Sequence, residues 1–71
     1  MIEILSPMGG SVWKTEVQVG DTVAVGEVLI ILESMKMEIP IEATEAGIVK
    51  EIKVAEGDFV QEGDTVITIE T

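Results

Sequence analysis

Few residues in this 71-residue chain are equipped for covalent or acid–base chemistry, because it holds no histidine, no cysteine and no tyrosine. That removes imidazole bases, thiolate nucleophiles and the usual nitrogen and sulfur metal ligands together. No glycine loop opens a helix to cradle a phosphate, and a chain this small leaves little volume for a substrate pocket. An enzyme in its own right is therefore not expected. What remains is an amine. In "ILESMKMEIPIE", residues 31–42, Lys36 stands between Met35 and Met37, with Glu33 and Glu38 on either side and the next lysine at Lys50. Taken singly, such a lysine is most simply a charge that keeps a β-edge soluble, and the methionines are ordinary strand packing. Exposed together, two methionines are instead poor solubilisers and adaptable contacts for a recognising protein.

The rest of the chain has to explain how that amine is positioned. Seventy-one residues with 46% hydrophobic content make one small domain whose core must support the fold without disulfides. Fourteen acidic residues against four lysines give a formal charge of −10, which repels phosphate backbones and anionic headgroups. Nucleic-acid and membrane-surface binding are not expected, and partners with basic faces are favoured. The opening "MIEILSPMGG" lacks a basic segment followed by a long apolar stretch, and "VLIIL" is far too short to span a bilayer. A cytoplasmic protein is the expectation.

Apolar and polar residues alternate in "VWKTEVQV", "IVKEIKV" and "TVITIE", with glycine-containing breaks between the runs. Period two with abundant Val, Ile and Thr predicts short strands, and hence an all-β sandwich or barrel. Sliding the chain against itself by 37 residues superposes "GSVWKTEVQVGDTVAVGEVLIILE" on "GIVKEIKVAEGDFVQEGDTVITIE" without a gap. Two similar units, about residues 3–34 and 40–71, are expected to pack about a pseudo-two-fold axis, since neither can bury its own apolar face.

The shared frame, "GDTVAVGE" and "GDFVQEGD", predicts turns. Gly20, Gly26, Gly57 and Gly63 supply positive φ, and Asp21 and Asp58 bond to nearby backbone. These loops carry too few oxygen ligands at alternate positions for calcium. Strict alternation nominates Val28, Ile30 and Leu32 for the core, with Thr65, Ile67 and Ile69 at the matching places. Ile39, Ile41, Ile52, Val17 and Val54 join them, while Lys14, Lys53 and most glutamates face water. Trp13 falls on Lys50 in the repeat, so a partly exposed ring at a sheet edge is expected.

Between the repeats, "EVLIILESMKMEIPIEA" is too long for one strand of a small domain and should fold back. The midpoint puts Met35 and Lys36 at a hairpin tip with positive φ at one or both. Two-residue hairpins favour Asn-Gly or Asp-Gly there, and a departure from that chemistry often marks function.

With "ESMKME" between two "GD-x-V-x-x-G" frames, essentially the whole chain, Ile2 to Glu70, resembles the biotinyl/lipoyl attachment domain family. The resemblance is to single-domain biotin/lipoyl attachment proteins and to biotin carboxyl carrier domains in particular. It implies a flattened barrel or sandwich of two four-stranded antiparallel sheets with quasi-two-fold symmetry. It also implies that Lys36 is the residue modified, held in the Met-Lys-Met of biotin acceptor sites, with Met35 and Met37 serving recognition by ligase and partners. Lipoyl domains usually carry Asp-Lys-Ala at that place, so biotin is favoured and lipoate is the alternative cofactor. An unmodified interaction module is the alternative of another class.

The partners implied are a biotin protein ligase, a biotin carboxylase and a carboxyltransferase, served by a monomeric carrier. Two departures stand out: Ser34 occupies a place where alanine is frequent, and a protruding segment and a Pro/Ala-rich N-terminal linker found in some bacterial carrier subunits are missing. The chain thus looks like a stand-alone carrier or an excised domain.

Overall fold

A computed structural model of the protein describes residues 1–71, and it contains eight strands and no helix. They are β1 (Ile2–Leu5), β2 (Gly10–Thr15), β3 (Thr22–Val23), β4 (Val28–Ser34), β5 (Met37–Glu42), β6 (Gly47–Ile52), β7 (Phe59–Val60) and β8 (Thr65–Glu70). Two four-stranded sheets result, ordered β1-β8-β6-β3 and β5-β4-β2-β7, and every pairing is antiparallel. The 37-residue offset carries β1, β2, β3 and β4 onto β5, β6, β7 and β8. One sheet therefore becomes the other, which is the quasi-two-fold relation anticipated from the repeat.

Four turns repeat one device. The Gln18 N–H donates to Asp21 Oδ2 at 2.9 Å and the Asp21 N–H to the Gln18 carbonyl at 3.0 Å, across Gly20 at φ 97°. Ala55 with Asp58, Ala24 with Glu27 and Gln61 with Asp64 make the same side-chain bond at 2.9–3.0 Å. Positive φ at the third turn residue is what a type II turn requires, and the second residue faces outward, as the exposed Val19 and Val25 do. Nothing lies within 4 Å of where a Gly57 Cβ would stand, so Gly57→Ala strains only the backbone. An equilibrium urea melt is expected to lose about 1 kcal/mol, and Gly57→Asn less.

Between the sheets lies one core of fourteen apolar residues, including Leu29, Ile30, Leu32, Val66, Ile67 and Ile69, each 0% exposed. Strict alternation mispredicts its edge: Val28 and Thr65 are half-buried, while Leu29 and Val66 are fully buried. The cause is a β-bulge. The β4–β5 register slips between Val28 and Ile30, and the β1–β8 register slips between Ile4 and Leu5, which skips Val66. One extra residue in each strand turns two neighbours inward in succession.

A second pair of dyad-related slips falls between Val12 and Lys14 and between Val49 and Glu51. Trp13 and Lys50 are thus the extra residues of matching bulges. Trp13 is 46% exposed, as expected, but it sits on the inner strand β2, not at a sheet edge. A bulged residue is released from the alternation, which is why the repeat tolerates tryptophan in one half and lysine in the other. Val17 and Ile41 are buried, and Ile39, Ile52 and Val54 pack partly against the core.

Candidate functional site

Strand β4 ends and β5 begins with Ser34 opposite Met37, so Met35 and Lys36 alone make the connection. Both have left-handed backbone, φ 53° at Met35 and 65° at Lys36, and they are the only non-glycine residues with positive φ. Two successive left-handed residues are the geometry of the type I′ hairpin, whose twist matches that of the flanking strands. Leu32 opposite Ile39 and Ile30 opposite Ile41 hold the hairpin from below, with Ile30, Leu32 and Ile41 in the core. Burial of these side chains fixes the register and sustains strain worth roughly 1–2 kcal/mol per left-handed residue.

A second local rule is broken just below the tip. Glu33 pairs directly with Glu38, so two carboxylates face each other across the strands, an arrangement that disfavours folding. The main-chain strain and the like-charge pair sit within three residues of one another. Such concentrated departures mark a place shaped for something other than stability.

Met35 is 90% exposed and Met37 63%, so neither is a core residue, and Lys36 is exposed between them. Lys53 Nζ pairs with Glu51 at 3.0 Å, and Lys14 Nζ lies 5.7 Å from the centre of the Trp13 ring, but the Lys36 amine has neither kind of partner. No cavity opens anywhere in the molecule. The site is an amine held out on a two-residue hairpin, open to modification or to contact by another protein.

The tip stands at one end of a molecule measuring 33 × 17 × 17 Å. Around it are residues to which alternation and repeat assign no part at the tip. Gly10 lets β2 approach β4 closely, since a Cβ there would stand 3.0 Å from the Glu33 carbonyl and 3.3 Å from Ser34 Cβ. The buried Ser6 hydroxyl donates to the Met8 carbonyl at 2.6 Å and fixes the loop that leads into β2. Across the outer face, Glu38, Glu33, Ser11 and Phe59 are consecutive partners on β5, β4, β2 and β7. Phe59 could have been found from sequence by asking where the halves disagree, because its counterpart is Thr22.

The far end carries the chain termini. From Gly47, which opposes Val23 next to the Ile48–Glu70 pair, β6 runs away from that end. By Phe59 and Val60 the chain has arrived beside Ser11 and Gly10, at the base of the tip. The dyad therefore sets the Lys36 hairpin at one end of the sandwich and the paired ends of β1 and β8 at the other.

The family model described as "Biotin-requiring enzyme" matches residues 2–69. The biotin/lipoyl attachment protein of Bacillus subtilis is 55% identical over 62 residues, covering 87% of this chain and 85% of that one. The biotin carboxyl carrier protein of Streptococcus mutans is 50% identical over 90% of this chain, which spans 49% of its length. Among solved structures, the urea carboxylase of Kluyveromyces lactis superposes with a TM-score of 0.93 at 39% identity, over 97% of this chain and 6% of that one. With the family's match running nearly end to end and a relative so similar along most of both lengths, the chain belongs to the biotinyl/lipoyl attachment domain family.

Proposed function

We propose that residues 1–71 form one attachment domain in which Lys36 carries biotin in amide linkage. The observation that carries this is the tip itself: an unpaired amine on a left-handed two-residue turn, braced by buried strands and flanked by exposed methionines. The residues fit the group, since covalent attachment needs an accessible amine and no pocket. The chain is a carrier component and not itself an enzyme, and its relatives' names support biotin over lipoate.

Attachment requires the Lys36 Nζ to attack the acyl carbon of a biotinyl-adenylate, with AMP leaving and the ammonium proton passing to the ligase. This chain offers no histidine to take that proton, so the ligase supplies deprotonation as well as activation. Glu33 and Glu38 present a negative face to a basic ligase surface, and Met35 and Met37 give it adaptable apolar contact. Bound biotin supplies a ureido nitrogen that accepts and releases a carboxyl group. The carrier works with carboxylase components, passing between a biotin carboxylase and a carboxyltransferase as a monomer. Tethering replaces diffusion of a free cofactor by a local search at an effective concentration in the ~mM range.

Incubation with biotin, ATP and a biotin protein ligase, followed by intact mass and peptide mapping, tests this. One adduct on the peptide containing Lys36 is expected, and it should prevail when a lipoyl-transferring enzyme and lipoate compete in the same sample. Exclusive lipoylation would replace the cofactor assignment.

The strained turn gives a further expectation. Met35→Asn places a residue that tolerates the left-handed region at φ 53°, so thermal melting should rise by a few degrees, for a gain of about 0.5–1 kcal/mol. The same change removes the most exposed methionine, and the rate of biotinylation should fall severalfold. A variant that is stabilised and still modified at the full rate would show that Met35 serves neither ligase contact nor recognition.

A further inference from the structure

Positions where the dyad-related halves disagree identify what one end of the molecule requires and the other does not. The chain has two aromatic residues, and one of them, Phe59, is 69% exposed on the short edge strand β7, where its counterpart on β3 is Thr22. An exposed phenylalanine contributes nothing to the core. Its ring rests over the loop entering β2, with its Cζ 3.8 Å from where a Gly9 Cβ would stand. Phe59 shares the outer face of its sheet with Ser11, Glu33 and Glu38, which are its successive partners across the strands. The same row thus has an apolar ring at one side, the two carboxylates below Lys36 at the other, and Asp58 adjoining the ring in sequence.

The geometry points to Phe59 as an apolar anchor for a biotin protein ligase, seated in a ligase pocket with a basic rim while Lys36 enters the catalytic cleft. This rests on the proposed modification of Lys36 and adds to it a contact outside the Met-Lys-Met tip. Strands spaced by about 4.8 Å put Phe59 roughly 15 Å from the Lys36 backbone. A standard protein footprint of about 800 Å² has a radius of about 16 Å, so a partner centred on the tip covers the ring. Large aromatic side chains surrounded by a polar rim are the kind of residue on which binding energy concentrates.

The choice of ligase over carboxylase follows from the length of the arm. The ligase must reach an amine only four methylenes from the backbone, so its surface has to close on the domain itself. A carboxylase site acts on a ring displaced by a further valeryl chain, and it can work with less of the domain covered. The net charge of −10, with Glu33, Glu38 and Asp58 at this end, matches a pocket rimmed by basic side chains.

The test compares Phe59→Thr, which installs the residue the dyad-related position already uses, with Phe59→Leu and Thr22→Phe. Initial rates of biotinylation are read against carrier concentration, with a thermal melt of each protein. Phe59→Thr is expected to lower kcat/KM about tenfold, mostly through KM, with a melting point close to wild type. Phe59→Leu should recover most of the loss, and Thr22→Phe should leave the rate within twofold. The fully biotinylated Phe59→Thr protein should serve a biotin carboxylase within twofold of wild type.

An unchanged ligation rate for Phe59→Thr overturns the proposal while leaving Lys36 as the modified residue, which the wild-type adduct reports independently. It is overturned equally if Phe59→Leu is as poor as Phe59→Thr, if only the carboxylase step suffers, or if light scattering shows a dimer that Phe59→Thr abolishes.

Discussion

Lys36→Arg is expected to abolish biotinylation outright, with no adduct in the intact mass after prolonged incubation with ligase, biotin and ATP. Arginine keeps the positive charge and the long aliphatic stem, but its guanidinium is not deprotonated in proteins and cannot attack the acyl carbon. The side chain is exposed and the tip is held by the strands below it, so the variant should melt within about 0.5 kcal/mol of wild type. Loss of the adduct then cannot be attributed to unfolding.

The other three lysines are poor substitutes for structural reasons. Lys53 is paired with Glu51, Lys14 lies over Trp13, and Lys50 is the extra residue of a bulge within β6. None stands on a two-residue turn with exposed methionines on both sides. An adduct on the Arg variant, or on Lys14, Lys50 or Lys53 of the wild type, would refute the assignment of Lys36.

The tip was legible in the sequence because two independent patterns met there. The repeat showed where one half stops and the other starts, and the run from Val28 to Ile41 was too long to continue as one strand. Positive φ at one or both of Met35 and Lys36 follows from that alone, without any residue preference, since a two-residue hairpin of native twist needs it, and the structure has it at both. The four type II turns were legible for the opposite reason, because their glycines and acidic residues are the ones such turns favour. What alternation could not provide was the set of bulges. Inserting one residue leaves the sequence pattern locally plausible in either register, so alternation nominates Val28 and Thr65 where Leu29 and Val66 are the buried residues. The mismatch of Phe59 with Thr22 is written in the repeat, but the exposure of the ring is not, since it depends on where β7 docks beside β2.

The quasi-symmetry invites a division of labour between the two ends, and paired glycines allow it to be measured. Gly47 and Gly10 are dyad equivalents, each opening the first strand of its pair beside the strand that ends the half. At Gly47 a Cβ would meet the Glu70 carbonyl oxygen and Ile69 Cγ2, both at 2.5 Å, and Ile69 is fully buried. Neither the paired backbone of β8 nor a packed core side chain can yield cheaply. Gly47→Ala is therefore expected to cost about 3 kcal/mol, at the upper end of ordinary overpacking. A domain of this size has a total stability of only about 4–10 kcal/mol, so its melting point should fall by roughly 12–24 °C.

At Gly10 the nearest atoms would be the Glu33 carbonyl oxygen at 3.0 Å and Ser34 Cβ at 3.3 Å, at the last pair before the turn, where β4 can give by a few tenths of an ångström. Gly10→Ala should cost about 1 kcal/mol and displace the base of the Lys36 hairpin. Assayed well below its melting point, Gly47→Ala should be biotinylated at the wild-type rate, because the affected end bears the termini and not the tip. Gly10→Ala should show the reverse, a small loss of stability with a severalfold slower modification. If the two variants instead lose ligation rate in proportion to lost stability, the ligase is sampling the fraction folded, and the tip has no need of the close approach that Gly10 permits.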